Sequence, residues 1–145
     1  MRIAVIGAGA IGNLVAAYLK DKGETVSLIG RTDSVEAINR EGLHISGVRG
    51  DLTVTIETSL RLGEKPDLAI LAMKTQDLCH ALGDNAAFLK DVLILTTQNG
   101  VQADAIVAKY VSEELIVSSI VMFGATYLAP AKVVHNFEGN WIIGK

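Results

Sequence analysis

Residues 7–12, Gly7-Ala8-Gly9-Ala10-Ile11-Gly12, follow directly on the short apolar run Ile3-Ala4-Val5-Ile6 and open an amphipathic stretch. Strand, glycine turn and helix in that order form the setting in which GxGxxG binds a dinucleotide. Each glycine has its own task. Gly7 lets the chain turn sharply off the strand, Gly9 removes a Cβ so that backbone can approach a pyrophosphate, and Gly12 lets the helix pack closely on the sheet. The helix N-terminus then offers unpaired N–H groups and the positive end of its dipole to the phosphates. A glycine-rich turn without a ligand is the competing reading.

The rest of the chain supplies the frame that this motif requires. Ile11, Leu14, Val15, Tyr18 and Leu19 recur at helical spacing from about Ala10 to Lys22, and Gly23 stands where a left-handed cap would stop the helix. Thr25-Val26-Ser27-Leu28-Ile29 is a second strand. The two strands must run parallel, because such crossovers are almost always right-handed. A short helix over 34–41 follows, with Thr32, Asp33 or Ser34 able to cap it and Gly42 ending it. Residues 43–45 and 52–57 then alternate apolar with polar around Gly47-Val48-Arg49-Gly50-Asp51, predicting paired strands with one wet face and placing His44 on it.

Residues 67–73, apolar from Leu68 onward, and 92–95 show no alternation, as expected of strands covered on both faces. Helices are predicted over 75–90, weakened by Gly83, and over 101–110. Strands are predicted over 115–123, 132–137 and 141–143, with Gly139-Asn140 suited to a hairpin between the last two. The predicted fold is α/β: a Rossmann-like, doubly wound, mostly parallel sheet with antiparallel edge strands at the C-terminal end. Residues 1–145 read as one dinucleotide-binding domain.

Composition narrows the partners. Thirteen basic against sixteen acidic residues give −3, and the basic residues are scattered singly, so nucleic acid is excluded as a partner. One cysteine, Cys79, can form no internal disulfide and reads as a buried inert thiol in a helix. Histidines, acids and Cys79 never cluster at ligand spacing, so no metal is expected. No apolar run reaches the roughly 18 residues of a membrane span, and the four apolar residues before the glycines do not make a signal peptide. The chain therefore reads as soluble, cytoplasmic and without membrane association.

In open parallel sheets ligands bind beyond the carboxyl ends of the strands, where strand order reverses. Gly7, Gly30, Lys74 and Asn99 all fall just past a strand end. An NAD-preferring domain usually places an acid after the second strand. Here Gly30 leaves room and Arg31 offers a planar cation suited to a 2′-phosphate, which favours NADP(H). Asp33 is the rival ribose ligand, but it falls late and fits helix capping better. Lys74 can serve an anionic ligand in the crevice or be an ordinary turn lysine. Gln98-Asn99-Gly100 is a common turn pair, yet an amide there could meet a ribose hydroxyl and a substrate oxygen together. His135 reads as a structural histidine, and Gly124-Ala125-Thr126 could return backbone toward the nicotinamide.

Together these segments resemble the N-terminal domain of the ketopantoate reductase family (2-dehydropantoate 2-reductases). The likeness rests on the 7–12 glycine motif, Ile29-Gly30-Arg31, Met73-Lys74, Gln98-Asn99-Gly100, and the stretch from Gly124-Ala125-Thr126 through Val134-His135 to Ile143-Gly144. It implies NADPH bound across this domain and hydride passed to the keto carbon of 2-dehydropantoate, a step of pantothenate biosynthesis. Gly7, Ala8, Gly9, Ala10, Ile11 and Gly12 match the phosphate cradle, Arg31 the 2′-phosphate ligand, Lys74 a crevice lysine, and Asn99 a residue touching both nicotinamide ribose and substrate. Family members continue into a helical domain carrying the general-acid lysine. No residue here carries over to that role, so the chain is expected to bind cofactor without appreciable turnover, as a fragment of a longer enzyme. An apolar interdomain face should then be exposed, and a homo-oligomer could form through it. A stand-alone NAD(P)-sensing regulatory module is the alternative function, and an oligomerisation domain with a vestigial site is a third.

Overall fold

The structure, a computed structural model, describes residues 1–98 and 101–145. Its frame is a seven-stranded sheet in the order β11-β8-β7-β6-β1-β2-β5. The strands are β1 (Arg2–Ile6), β2 (Thr25–Ile29), β5 (Glu57–Ser59), β6 (Leu68–Leu71), β7 (Leu93–Thr96), β8 (Ile116–Val121) and β11 (Trp141–Gly144). Every neighbouring pair is parallel except β11 with β8, as the sequence leads one to expect for the C-terminal edge. From β1 the chain adds β2 on one side and, later, β6 and β7 on the other. Strand order therefore reverses between β1 and β6.

Alternate residues of β1 feed two cores. Ile3 and Val5 pack with α1 (Ala10–Asp21) and α2 (Thr32–Glu41), while Ala4 and Ile6 pack with α3 (Leu78–Leu89) and α4 (Val101–Val107). α1 ends in a Schellman arrangement, with Gly23 N–H donating to the Lys20 carbonyl and Glu24 N–H to that of Leu19. The helix expected over 75–90 opens as a 3₁₀ turn, Thr75–Asp77, before α3. Cys79 on α3 is exposed, which corrects the buried thiol expected of it. The helical period puts Leu78, Leu82, Asn85 and Leu89 inward and turns Cys79 out.

A second sheet is the main departure from expectation. β4 (Leu52–Val54), β3 (Leu43–Gly47), β10 (Lys132–Phe137) and β9 (Gly124–Ala129) line up in that order. β3 and β4 pair antiparallel, as their alternation predicts. The run 52–57 is not one strand, however: it breaks after Val54, and Glu57–Ser59 crosses to the edge of the main sheet beside β2. Nor do β10 and β11 form a hairpin. β10 lies between β3 and β9, and β11 pairs with β8. Gly139 serves the crossing between sheets, since a Cβ there would overlap the Met122 carbonyl, and Met122 N–H donates to the Asn140 carbonyl at 2.9 Å. The segment 124–129, to which the sequence reading assigns no element, is β9.

The second sheet closes over the outer side of α1. Leu43, Ile45, Val54, Ala131 and Val133 join Leu14, Val15, Ala16 and Ala17 in one cluster. At its far end His135, 2% exposed, accepts or donates a hydrogen bond of 2.8 Å with the Tyr18 hydroxyl. The Arg49 guanidinium lies 4.9 Å from the centre of the Tyr18 ring and pairs with Glu138 at 2.5 Å. That ion pair is half exposed and contributes little by itself. Burial raises the Tyr18 phenol above its ordinary pKa, partly offset by the Arg49 charge. Among the described residues no helix is long and apolar enough to cross a membrane.

A phenol whose pKa is raised on folding stabilises the protein fully below the ordinary value, and that stability is lost as the group ionises. Thermal stability should therefore decline as pH climbs past about 10. Tyr18→Phe should abolish that alkaline component and lower stability at neutral pH by about 1–3 kcal/mol, because His135 loses its partner inside the protein. Denaturant melts of both proteins across pH 7–11 check this.

Candidate functional site

The carboxyl ends of β1 and β6, where strand order reverses, carry the glycine loop and the Ala72-Met73-Lys74 segment. Gly7 has φ of +111°, and its N–H donates to the Ile29 carbonyl at 2.8 Å. A Cβ at Gly7 would stand 2.8 Å from Met73 N and 2.9 Å from the Ala72 carbonyl carbon. The sharp turn read from sequence is thus also a backbone-on-backbone contact. At Gly12 a Cβ would overlap the Gly7 carbonyl oxygen and lie 3.1 Å from Ala72 Cβ, so glycine is what lets α1 settle onto the sheet. Gly9 differs: nothing lies within 4 Å of where its Cβ would be. The space over Gly9 is open to a ligand.

Gly9 is also the N-cap of α1, and no side chain caps the helix. Its first turn, which includes Ala10, Ile11 and Gly12, contains no acidic residue. The leading N–H groups and the positive dipole end therefore face the open space uncompensated. Asn13, wholly buried, donates from Nδ2 to the Ala8 carbonyl at 3.1 Å and holds the loop down from behind. This support was missed in the sequence, where the only signal is a polar residue on the buried side of a helix.

Gly30 follows β2, and its N–H donates to the Ser59 carbonyl at 3.1 Å. A Cβ there would come within 2.7 Å of Ala8 Cβ. The room that Gly30 leaves is therefore taken up by the glycine loop itself. Arg31 is next, exposed, at the N-cap of α2, which begins at Thr32, two residues earlier than the sequence leads one to expect. Asp33 sits in the first turn and accepts the Ser34 N–H at 2.9 Å, but the N-cap is Arg31 and no side chain caps the helix, which corrects the capping role expected of Thr32, Asp33 or Ser34. The Tyr127 hydroxyl of β9 reaches to 3.5 Å from Ser34 Oγ, so the second sheet borders this end of the crevice.

Lys74 leaves the end of β6 exposed and in extended backbone, and starts the 3₁₀ turn. Among the described residues neither Arg31 nor Lys74 is in an ion pair. Across the crevice, Thr97 and Gln98 reach from the end of β7 to the Leu71 carbonyl, and Gln98 also to that of Met73. Asn99 and Gly100 lie outside the described residues. Just beyond them, Asp104 of α4 accepts hydrogen bonds from Thr96 at 2.9 Å and from Ser118, fastening that helix to β7 and β8.

The fold thus brings the 7–12 loop, Gly30-Arg31 and Lys74 to one end of the sheet. His135 stays away from it, beneath the second sheet, as a structural histidine should. A groove of about 270 Å³ lined by Arg2, Ser27, Glu57, Leu62 and Glu64 is not part of the crevice, since it runs along β2 and β5 to the opposite, amino end of β1. An uncapped helix start over the open Gly9 position, and two cations without ion pairs among the described residues, can hold an extended polyanion.

Comparisons with known proteins agree with this geometry. A family model described as ketopantoate reductase PanE/ApbA matches residues 3–145. The 2-dehydropantoate 2-reductase of Pyrococcus abyssi is 37% identical over 145 residues, covering 99% of this chain and 47% of that protein. The crystal structure of 2-dehydropantoate 2-reductase from Geobacter metallireducens superimposes with a TM-score of 0.92 at 29% identity, over 100% of this chain and 49% of that one. A ternary structure of D-mandelate dehydrogenase with NADH and anilino(oxo)acetate gives 0.89 at 28% identity, over 99% and 47%. The chain spans about half the length of the relatives it matches.

The three glycines should separate in a stability series. Gly12→Ala drives a methyl into the Gly7 carbonyl and Gly7→Ala strains a left-handed residue against Met73. Each should cost more than about 2 kcal/mol in denaturant melts. Gly9→Ala, entering open space, should stay within about 1 kcal/mol of the parent.

Proposed function

Because the chain belongs to the ketopantoate reductase PanE/ApbA family, we propose that it is the cofactor-binding half of an NADPH-dependent 2-keto acid reductase acting in pantothenate biosynthesis. The observation that carries this reading is the uncapped start of α1 over the open Gly9 position, at the reversal of strand order, with Arg31 at the end of β2. When bound, the nicotinamide cofactor supplies the hydride that reduces a ketone. The chain's own residues bind and orient. Backbone N–H groups of the 7–12 loop hold the pyrophosphate, and Arg31 neutralises a 2′-phosphate. Lys74 adds positive charge to the crevice floor, and Asn99 is assigned to ribose and substrate.

NADPH rather than NADH rests on Arg31. Two of the solved relatives hold NADH by their descriptions, and those are D-mandelate dehydrogenase. The opposite preference here follows from a free guanidinium beside the ribose position and no acid directly at the strand end. Reduction of a ketone also needs a proton donor against the developing alkoxide, worth roughly 10²–10⁴ in rate. We assign that donor, and most of the 2-keto acid pocket, to the half of the protein for which the relatives have additional chain. The half-exposed Ile120 and Ile142, paired across β8 and β11, with Met122 just beyond β8, form the apolar face we assign to contact with it. By itself the 145-residue chain should bind NADPH and turn over no substrate, and its place is the cytoplasm, where the cofactor is made available.

Calorimetric titration with both cofactors tests the reading. Arg31→Ala should weaken NADPH about ten- to a hundredfold, as expected for a lost charge-assisted hydrogen bond, and leave NADH within about threefold. Equal losses for the two would remove the 2′-phosphate assignment. Gly9→Ala should weaken both together, through the pyrophosphate they share.

A further inference from the structure

Gln98, just beyond β7, carries a side chain that the proposed chemistry does not use. Its amide nitrogen donates to the Met73 carbonyl at 2.6 Å and to the Leu71 carbonyl at 3.0 Å, and lies 3.7 Å from Met73 Sδ. Thr97 adds its hydroxyl at 2.8 Å and its N–H at 3.3 Å to the same Leu71 carbonyl. Both N–H bonds of the amide are therefore committed to carbonyls flanking Ala72. The flipped amide would press Oε1 against two carbonyl oxygens, so the orientation is fixed. The cost is visible: Oε1 is buried, with no partner among the described residues. A residue that keeps a strained balance of this kind is holding something in place.

What it holds is the segment that ends in Lys74. β6 stops at Leu71; Ala72 N–H still donates to the Ile6 carbonyl at 2.8 Å. The Met73 carbonyl is gripped by Gln98 instead of by a strand neighbour. Ala72 and Met73 are also the surface against which Gly7 and Gly12 pack. One side-chain amide from just beyond β7 thus fixes the backbone between the glycine cradle and the exposed lysine. A lysine side chain has four rotatable carbons and finds an anion by chance unless its root is fixed.

We propose that Gln98 is a positioning residue for Lys74: it sets the point from which the ammonium reaches the bound dinucleotide, and acts on affinity only through that lysine. This rests on the NADPH reading above. The test is a double-mutant cycle on NADPH binding, read by calorimetry, using the chain itself, Lys74→Ala, Gln98→Met and the double variant. Met keeps the length of Gln and removes both donors. Lys74→Ala should weaken NADPH by about tenfold, as for a lost ion contact, and Gln98→Met by about three- to tenfold. In the Lys74→Ala background Gln98→Met should change affinity by less than about twofold. Thr97→Val, which leaves the Met73 carbonyl engaged, should bind as the parent does. Should Gln98→Met be too unstable to titrate, Gln98→Ser, which admits water to the two carbonyls, takes its place in the cycle.

Full multiplication of the two losses would overturn the proposal, because a purely structural role does not depend on Lys74. So would parental affinity in the Gln98 variant. In both of those cases the parent still binds NADPH and the cofactor reading stands. Absence of NADPH binding in the folded parent chain would sink the cofactor reading itself, and this inference with it.

Discussion

Four stretches of backbone meet without intervening side chains: the loop at Gly7–Gly9, the start of α1 at Gly12, the end of β2 at Gly30, and the Ala72-Met73 segment after β6. At three of these points a single added methyl group would come within 3 Å of a neighbouring atom. The contact decides how near α1 lies to the sheet and therefore where its N-terminal N–H groups point. It also joins β1, β2 and β6 at the place where strand order reverses. Fold and candidate site are one feature here, since whatever loosened the contact would also move the helix end that makes the crevice attractive to an anion.

The second sheet makes that arrangement stiff. A helix lying on a sheet ordinarily keeps a wet outer face. α1 does not: residues 12–17 are buried in succession, with β1 and β2 beneath and the second sheet above. The Tyr18–His135 bond and the stacking of Arg49 on the Tyr18 ring secure the outer cover at the helix's far end. Orienting N–H groups before a ligand arrives lowers the ordering cost of binding. A helix enclosed on both sides is better suited to that than one resting on a single surface.

Much of this was legible in the residues. β1, β6 and β7 are built on apolar runs without alternation, and the glycine spacing placed the cradle because Gly7 and Gly12 answer local steric demands. What the sequence hid depends on contacts far apart along the chain. β3 pairs with β10 across almost ninety positions, and no period in either segment names the other. Gly139-Asn140 carries a hairpin's composition, yet the glycine is there to slip past Met122. The site divides in the same way. Arg31 and Lys74 announced themselves by following strands, whereas Asn13 and Gln98 act behind the crevice by gripping carbonyls that only the folded chain brings near. Cys79 misled because an apolar-looking helix still has an outer side.

The charge at the crevice runs against that of the molecule. The chain carries −3, yet the rim of the glycine loop has an uncapped helix start with no acid in its first turn and two cations free of ion pairs among the described residues. Local field, not net charge, governs what such a cleft attracts, since charges beyond about 8 Å are largely screened at physiological salt. At the ribose end the field is divided. Arg31 precedes α2 and Asp33 lies in its first turn, two residues on, where it accepts the Ser34 N–H. That hydrogen bond draws the carboxylate back onto its own helix, while among the described residues the guanidinium is in no ion pair. On the proposed reading, the preference for a phosphorylated ribose rests on Arg31, and the one acid nearby is already engaged on its own helix.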